Sequence, residues 1–301
     1  MGRKEAVAFA RQGETLRLMG TQKEDEEGGQ KLFEDATSLF ERAIDADSTY
    51  AWAWAHLGAT LSYQGGMCKR RTTEKLDLYS QAEDRFKRAT ELNSSYTWAW
   101  AQRGQNYCWW GIYYKEEDRG QQAIEFVENS AINECFNKAI GLDPTYVWAL
   151  AKRSFAYRIL GLFKGEDSQQ EQPNYDLAVA DLEKVIKLNH NYAWALAMLA
   201  VVHRQKARAY DSFSRVDKAR DEWIKVYDNL EKAVKIYPDI FKPPKQLEIG
   251  YMFLPKQGSS LEFPENASKY QYYTMAGYKA YKEGYLAAEE DINTALKALA
   301  E

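Results

Sequence analysis

The segment Tyr50-Ala-Trp-Ala-Trp-Ala returns as Tyr96-Thr-Trp-Ala-Trp-Ala, Tyr146-Val-Trp-Ala-Leu-Ala and Tyr192-Ala-Trp-Ala-Leu-Ala, at spacings of 46, 50 and 46 residues. One module has been copied along the chain, and a module of this size cannot bury its apolar face alone. It stabilises itself by stacking on its neighbours, so stability is shared between adjacent copies and an extended binding surface is left over. This repetition restricts the fold more than any other property of the sequence.

Each copy carries a second amphipathic segment, ending in Phe40-Glu-Arg-Ala-Ile, Phe86-Lys-Arg-Ala-Thr, Phe136-Asn-Lys-Ala-Ile, Leu182-Glu-Lys-Val-Ile and Leu230-Glu-Lys-Ala-Val. Ala36, Ala82 and Ala178 sit four residues before the large apolar residue, and Ala43, Ala89, Ala139, Val185 and Ala233 sit three after it. Those offsets share one helix stripe, which must face another helix. Asp47-Ser48, Asn93-Ser94, Asp143-Pro144, Asn189-His190 and Tyr237-Pro238 then end each unit, mostly with residues that favour turns and N-caps. In the first segments, Gly13 and Gly20, Gly58 and Gly65, and Gly104 and Gly111 are each seven apart.

The joint pattern of Trp, Gly and Tyr, then Ala, Phe and Ala, then Pro resembles the tetratricopeptide repeat, over five units from about Phe9 to Pro238. The resemblance implies an all-α solenoid, a right-handed superhelix of stacked antiparallel helix pairs with about 13 helices. A single solenoid over 1–301 is expected, with five clear units within 5–238 and a degenerate sixth unit plus capping helices in 239–301. Two helices are expected there, at about Asn266 to Glu283 and Tyr285 to Leu299. The period exceeds the family's usual one, and the extra residues fall between the paired helices. Gly28-Gly29 and Gln172-Pro173 read as breaks, whereas Arg208 to Glu231 contains no Pro or Gly and reads as nearly continuous helix.

The resemblance also implies that the first helix of each pair lines a concave groove, where the protein partner binds. The groove position two before the large aromatic holds Trp52, Trp98, Trp148 and Trp194. Two readings stand: an aromatic ladder that grips an apolar or extended peptide, or a row of wedges packed between units. Trp54 and Trp100 fall at core positions in either case. Deeper groove positions map onto Tyr63 and Trp109, and onto Lys152, Arg158 and Arg204, a basic stretch suited to an acidic peptide or the C-terminal carboxylate of a partner. The family's carboxylate clamp is missing, since its Lys column holds Ala10, Ala55, Ala101, Ala151 and Ala197, and its Asn column holds Glu14, Ala59, Gln105, Phe155 and Val201.

Composition narrows the remaining classes. A net charge of -4 supplies no positive field for phosphate backbones, so nucleic acid is not the expected partner. No run of 18 apolar residues is present, and Met1-Gly2-Arg3-Lys4 does not open a signal peptide; the expectation is a cytoplasmic protein without a membrane partner. Cys68, Cys108 and Cys135 are too few and too scattered for a disulfide framework. His56, His190 and His203 form no metal or nucleophile set with them, and no phosphate loop or Ser-His-Asp grouping occurs, so neither cofactor, metal nor catalysis is expected. The expected function is a non-enzymatic scaffold or adaptor for a protein or peptide. The alternative is a regulatory sensor subunit whose superhelix answers to a peptide or small ligand and controls a separate effector.

Overall fold

Each of the five clear units of the repeat becomes a pair of helices. The computed structural model of the chain describes residues 2–21, 26–67, 73–166, 169 and 171–237, and among them there are ten helices and no strand. In order they are α1 (Arg3–Gly20), α2 (Glu26–Ala46), α3 (Ala51–Met67), α4 (Thr73–Leu92), α5 (Thr97–Glu116), α6, α7 (Val147–Lys164), α8 (Pro173–Leu188), α9 (Ala193–Ser212) and α10 (Val216–Ile236). Helix α6 is one continuous run of Gly120–Glu125, a π-helical stretch Phe126–Phe136, and Asn137–Leu142. The helices expected in 239–301, and Cys68, lie outside the described residues.

The chain forms two compact units, Met1–Ala156 and Tyr157–Glu301. In the first, each helix packs on the next along the chain, from α1 through α6, and α3 also meets α5. Packed neighbours separated by only a few residues of chain run antiparallel, which is the serial layering of an α-solenoid. In the second, α9 packs on both α8 and α10.

The core is a set of close helix contacts written by small residues. Ala36, Ala43, Ala82, Ala89, Ala139, Ala178 and Ala233 have no exposed surface, as their stripe requires. A methyl placed on Gly13, Gly58 or Gly104 would lie 3.2, 3.1 or 3.0 Å from the ring of Phe40, Phe86 or Phe136 respectively. One at Gly20 or Gly65 would meet Phe33 at 2.9 Å or Tyr79 at 2.8 Å, and one at Gly161 would meet Tyr175. The seven-residue glycine spacing therefore marks two successive ring slots on the first helix, filled by two large side chains seven apart on the second.

Helix α6 breaks that arithmetic. Its slot-filling residues are Val127, against Gly111, and Phe136, against Gly104. They are nine apart, whereas Phe33 and Phe40, or Tyr79 and Phe86, are seven apart. Two α turns take about seven residues, and i→i+5 hydrogen bonding takes more residues per turn. The π stretch spans this interval and absorbs the surplus pair, so both side chains still reach their glycines.

Most of the extra length per repeat has become helix. Gly28 and Gly29 lie inside α2, so the break expected there is absent. A methyl at Gly29 would lie 2.7 Å from Met67 Cε, so this glycine serves a close approach between hairpins. Gln172-Pro173 is a true break: Gln172 is the N-cap and Pro173 opens α8, where its missing N–H costs nothing. The buried Glu166 carboxylate accepts the Asn174 and Tyr175 backbone N–H groups at 3.1 and 3.2 Å, stabilising that helix start. The continuous helix expected over Arg208 to Glu231 is instead interrupted at Phe213–Arg215, where Ser214 adopts φ 54°. A non-glycine residue in that region is uncommon, which is why neither Gly nor Pro announced the turn.

Candidate functional site

The corners between repeats are copies of one design. The side-chain Oδ1 of Asp47, Asn93, Asp143 and Asn189 accepts the backbone N–H two residues later, at 3.0, 3.1, 2.9 and 3.1 Å. This Asx turn mimics a backbone turn and fixes the direction of the next helix. From it the Tyr and Trp of each repeat emerge stacked: Tyr50 on Trp52, Tyr96 on Trp98, Tyr146 on Trp148 and Tyr192 on Trp194, with ring centroids 5.9, 5.9, 6.3 and 6.1 Å apart. Trp52, Trp98, Trp148 and Trp194 are all half-buried.

Their surroundings differ from repeat to repeat. The His56 imidazole lies between the Trp52 ring, 3.6 Å away, and the Trp98 ring, 4.2 Å away, nearly parallel to both. Its Nδ1 is 2.8 Å from Glu14 Oε2, and Glu14 also accepts two hydrogen bonds from Arg17, at 2.8 and 2.9 Å. Burial lowers the His56 pKa, opposed by the Glu14 carboxylate and helped by the Arg17 charge. Burial would raise the Glu14 carboxyl, but hydrogen bonds and charge from His56 and Arg17 outweigh it and hold the group down at about 2. Glu14 occupies the column where the family's clamp would hold Asn, and here it ties the first repeat to the second.

Trp54 and Trp100, expected in the core, are half-buried instead. Each indole N–H donates back to its own corner, Trp54 to Ser48 O at 2.9 Å and Trp100 to Ser94 O at 3.0 Å. An indole needs an acceptor when it leaves water, and the corner carbonyl supplies one at the edge of the stack. Leu150 and Leu196 stand in their place in later repeats and, needing none, are buried.

Two pairs of expected site residues meet in the first unit. Tyr63 and Trp109 pack edge to face with centroids 5.4 Å apart, Tyr63 also stacking on Phe33 and lying under the Arg17 guanidinium. Lys152 Nζ sits 5.7 Å from the Trp148 ring centroid. In the second unit, Arg158 and Arg204 are buried, and Arg204 is brought down to about 9 by burial and then by the charges of Arg208 and Arg158. Burial pushes the Cys108 thiol upward, with Lys152 opposing, so this cysteine is held as an unreactive thiol.

Two charged clusters were not anticipated from sequence. Arg103 is 7 % exposed, yet its guanidinium grips Glu83 on α4 at 2.6 Å and Glu134 on α6 at 2.7 Å, fastening three helices. In the second unit Glu222 takes His203 at 2.6 Å and Lys225 at 3.0 Å, while Lys206 pairs with Asp176 at 2.6 Å. Burial would raise the Glu222 carboxyl, but His203 and the lysines bring it to about 2. A Trp four residues before a His, and charges recurring on otherwise apolar faces, were the available signals. Among the described residues no His, Cys, Asp or Glu group is arranged to hold a metal, and no helix is long and apolar enough to cross a membrane.

No family model and no curated protein matches the chain. Solved structures similar to it include MamA, at 18% identity over 77% of this chain and 95% of that one, TM-score 0.42. A second is TTC0263, described as a thermophilic TPR protein of Thermus thermophilus, at 18% identity over 81% and 100%, TM-score 0.43. A third is YrrB, described as a TPR protein with an unusual peptide-binding site, at 16% identity over 78% and 94%, TM-score 0.35.

Proposed function

We propose that this chain is a tetratricopeptide-type interaction scaffold, non-enzymatic and cytoplasmic, forming a single array over 1–301 that binds a protein or peptide along its first helices. The supporting observation is that Tyr63, Trp109 and Trp148 on those helices are half-buried, Tyr63 and Trp109 packing edge to face and Trp148 lying under the Lys152 ammonium. Large aromatic area fixed in place at low entropic cost is what binding hot spots use. Trp52 and Trp98, both also engaged with His56, are further candidates in the same unit, and Trp194 is the equivalent candidate in the second. Lys152 in the first unit, and Arg158 and Arg204 in the second, are the proposed contacts for an acidic stretch or carboxylate of the partner; Arg204 is lowered chiefly by burial and then by the charges of Arg208 and Arg158, and an anion opposes the charge part. The arginine charges of the second unit also favour the second reading, a sensor subunit answering to an anionic ligand.

The test is affinity purification from the native cell followed by mass spectrometry, repeated with Trp109→Ala. A partner recovered in stoichiometric amount by the wild type and bound about 30-fold more weakly by the variant, the size of a hot-spot loss, supports the scaffold. No partner, together with a melting temperature raised by small anions, favours the sensor.

A further inference from the structure

A cleft of about 390 Å³ opens at the first corner, with Arg3, Tyr50, Trp52, Leu92, Asn93 and Tyr96 among its lining residues. That volume stands at the lower end of ligand pockets, roughly 300–1,000 Å³, and suits a molecule built on a single ring. Two successive corners supply the walls. Tyr50 and Trp52 follow the Asp47 turn, and Leu92, Asn93 and Tyr96 belong to the next. All of them lie in the first compact unit.

The nitrogen groups left over in this cleft are donors. Arg3 Nη1 donates to Asp47 Oδ2 at 2.7 Å, with the guanidinium carbon 3.9 Å from the centroid of the Tyr50 ring. Its Nε and Nη2 donate no hydrogen bond among the described residues, and the side chain is 56% exposed, so a ligand can reach that edge. Asn93 Oδ1 accepts the Ser95 N–H at 3.1 Å and the Ser95 hydroxyl at 2.8 Å. The other end of that amide, Nδ2, is likewise uncommitted among the described residues.

Two other arginines of the chain show what the open edge of Arg3 is able to hold. Arg103 directs Nε and Nη2 at Glu83, at 2.9 and 2.6 Å, while its Nη1 takes Glu134 at 2.7 Å, so one guanidinium carries two carboxylates. Arg17 gives Nε and Nη2 to Glu14, at 2.8 and 2.9 Å. Arg3 has the Nη1 half of this arrangement alone. Its Nε–Nη2 fork matches the two oxygens of a carboxylate, and beside it stand three aromatic side chains and a leucine.

We propose that this cleft binds a carboxylate borne on an aromatic ring, the carboxylate forked on Arg3 Nε and Nη2 and assisted by the Asn93 amide, the ring lying among Leu92 and the aromatic walls. Asp47 keeps its place on Nη1. The site is separate from the helix-face residues considered above and does not rest on that reading. A free aromatic acid and the C-terminal aromatic residue of another chain offer the same chemistry.

The experiment titrates the full-length protein at low salt with 3-phenylpropanoate and, in parallel, with 3-phenylpropanamide, following backbone amides by NMR. The acid is expected to shift the Thr49 and Ala51 amides, which line the cleft, and to do so saturably, while the Thr145 amide at another corner stays still. The amide probe, which lacks the charge, is expected to shift neither. Arg3→Gln weakens the response about threefold or more, the scale of an exposed charge pair. Asn93→Asp does the same by putting a negative charge where the donor was. It preserves the turn, since Asp47 and Asp143 hold Thr49 and Thr145 in the same way. Acetyl-Gly-Gly-Phe with a free carboxylate separates the sources: tighter binding than 3-phenylpropanoate assigns the cleft to a chain end, and weaker binding assigns it to a free acid. The proposal is overturned by a response to 3-phenylpropanoate that never saturates, that 3-phenylpropanamide reproduces, or that is equal in wild type, Arg3→Gln and Asn93→Asp.

Discussion

The joint between the first and second full Trp repeats and the joint that follows it use the same tryptophan for different ends. At the first, Trp52 and Trp98 close on His56, and Glu14 and Arg17 lock the imidazole from the preceding helix pair. At the second, the His56 position is Gln102, and Trp148 is met by the Lys152 ammonium. The copied Trp does not by itself decide between wedge and groove residue. The residue one helical turn later sets what the ring meets within the chain, because positions four apart share a face. An aromatic imidazole fills the space between two indoles as a third plate, whereas the Lys152 ammonium lies over a single ring.

The largest expected effect tests that distinction. Trp98→Ala removes one plate of the sandwich and lowers stability by about 3 kcal/mol, as aromatic truncations in packed sites do. Trp148→Ala costs less than half of that in the same urea denaturation series. Equal losses would erase the difference between the joints. Next in size, Gly65→Ala sets a methyl 2.8 Å from the Tyr79 ring and Gly104→Ala sets one 3.0 Å from Phe136. Each is expected to cost about 1–3 kcal/mol by overpacking. A neutral Gly65→Ala means that the slots are looser than their distances.

The pH dependence sharpens the comparison further. The folded-state pKa of His56 lies below its unfolded value, so the unfolded chain binds the proton more readily. The contribution is therefore present above pH of about 6.5 and is lost as pH falls through the folded pKa. Glu14 adds a second loss in the same direction, between the ordinary carboxylate range and about 2. His56→Gln, which copies the second joint, removes the step that begins near a pH of about 6.5 and shrinks the lower one, which Arg17 alone then sustains. An unchanged profile would show that the imidazole titrates as it does in water. The smallest effect concerns α6: deleting Asn129 and Ser130 restores seven residues between Val127 and Phe136, so the helix reverts to regular α geometry. Stability is expected to change by no more than about 1 kcal/mol, because the same slots stay filled. A collapse on denaturant titration would assign the π stretch a role of its own.

Much of the fold was legible because the repeat prints its contacts at fixed intervals. The Gly13, Gly58 and Gly104 series and the Ala36 and Ala82 stripe predicted which helix faces meet. The π stretch was missed although its sign is in the sequence, since aligning on Trp fixed the first helices and left the nine-residue gap from Val127 to Phe136 uncounted. Gly28-Gly29 was misread because a glycine pair has the same appearance whether it breaks a helix or admits a neighbour such as Met67. The Ser214 turn bears no Gly or Pro and could not be read at all. At the site, the positions of the four Trp residues were legible, whereas the His56 sandwich depends on a third residue from the next repeat and on Glu14 more than forty residues away. The contact of Arg3 with Asp47, at 2.7 Å, and with the Tyr50 ring was hidden for a related reason: its parts become neighbours only when one repeat is laid on the next.

The imidazole between two indoles also has an optical consequence. A protonated imidazole held against an excited indole accepts an electron from it and quenches its emission, whereas the neutral ring does so poorly. Trp52 and Trp98 flank the same titrating group, so its proton dims two emitters of this protein at once. The state of the first joint is therefore expected as a pH-dependent step in the intrinsic fluorescence of the unlabelled protein.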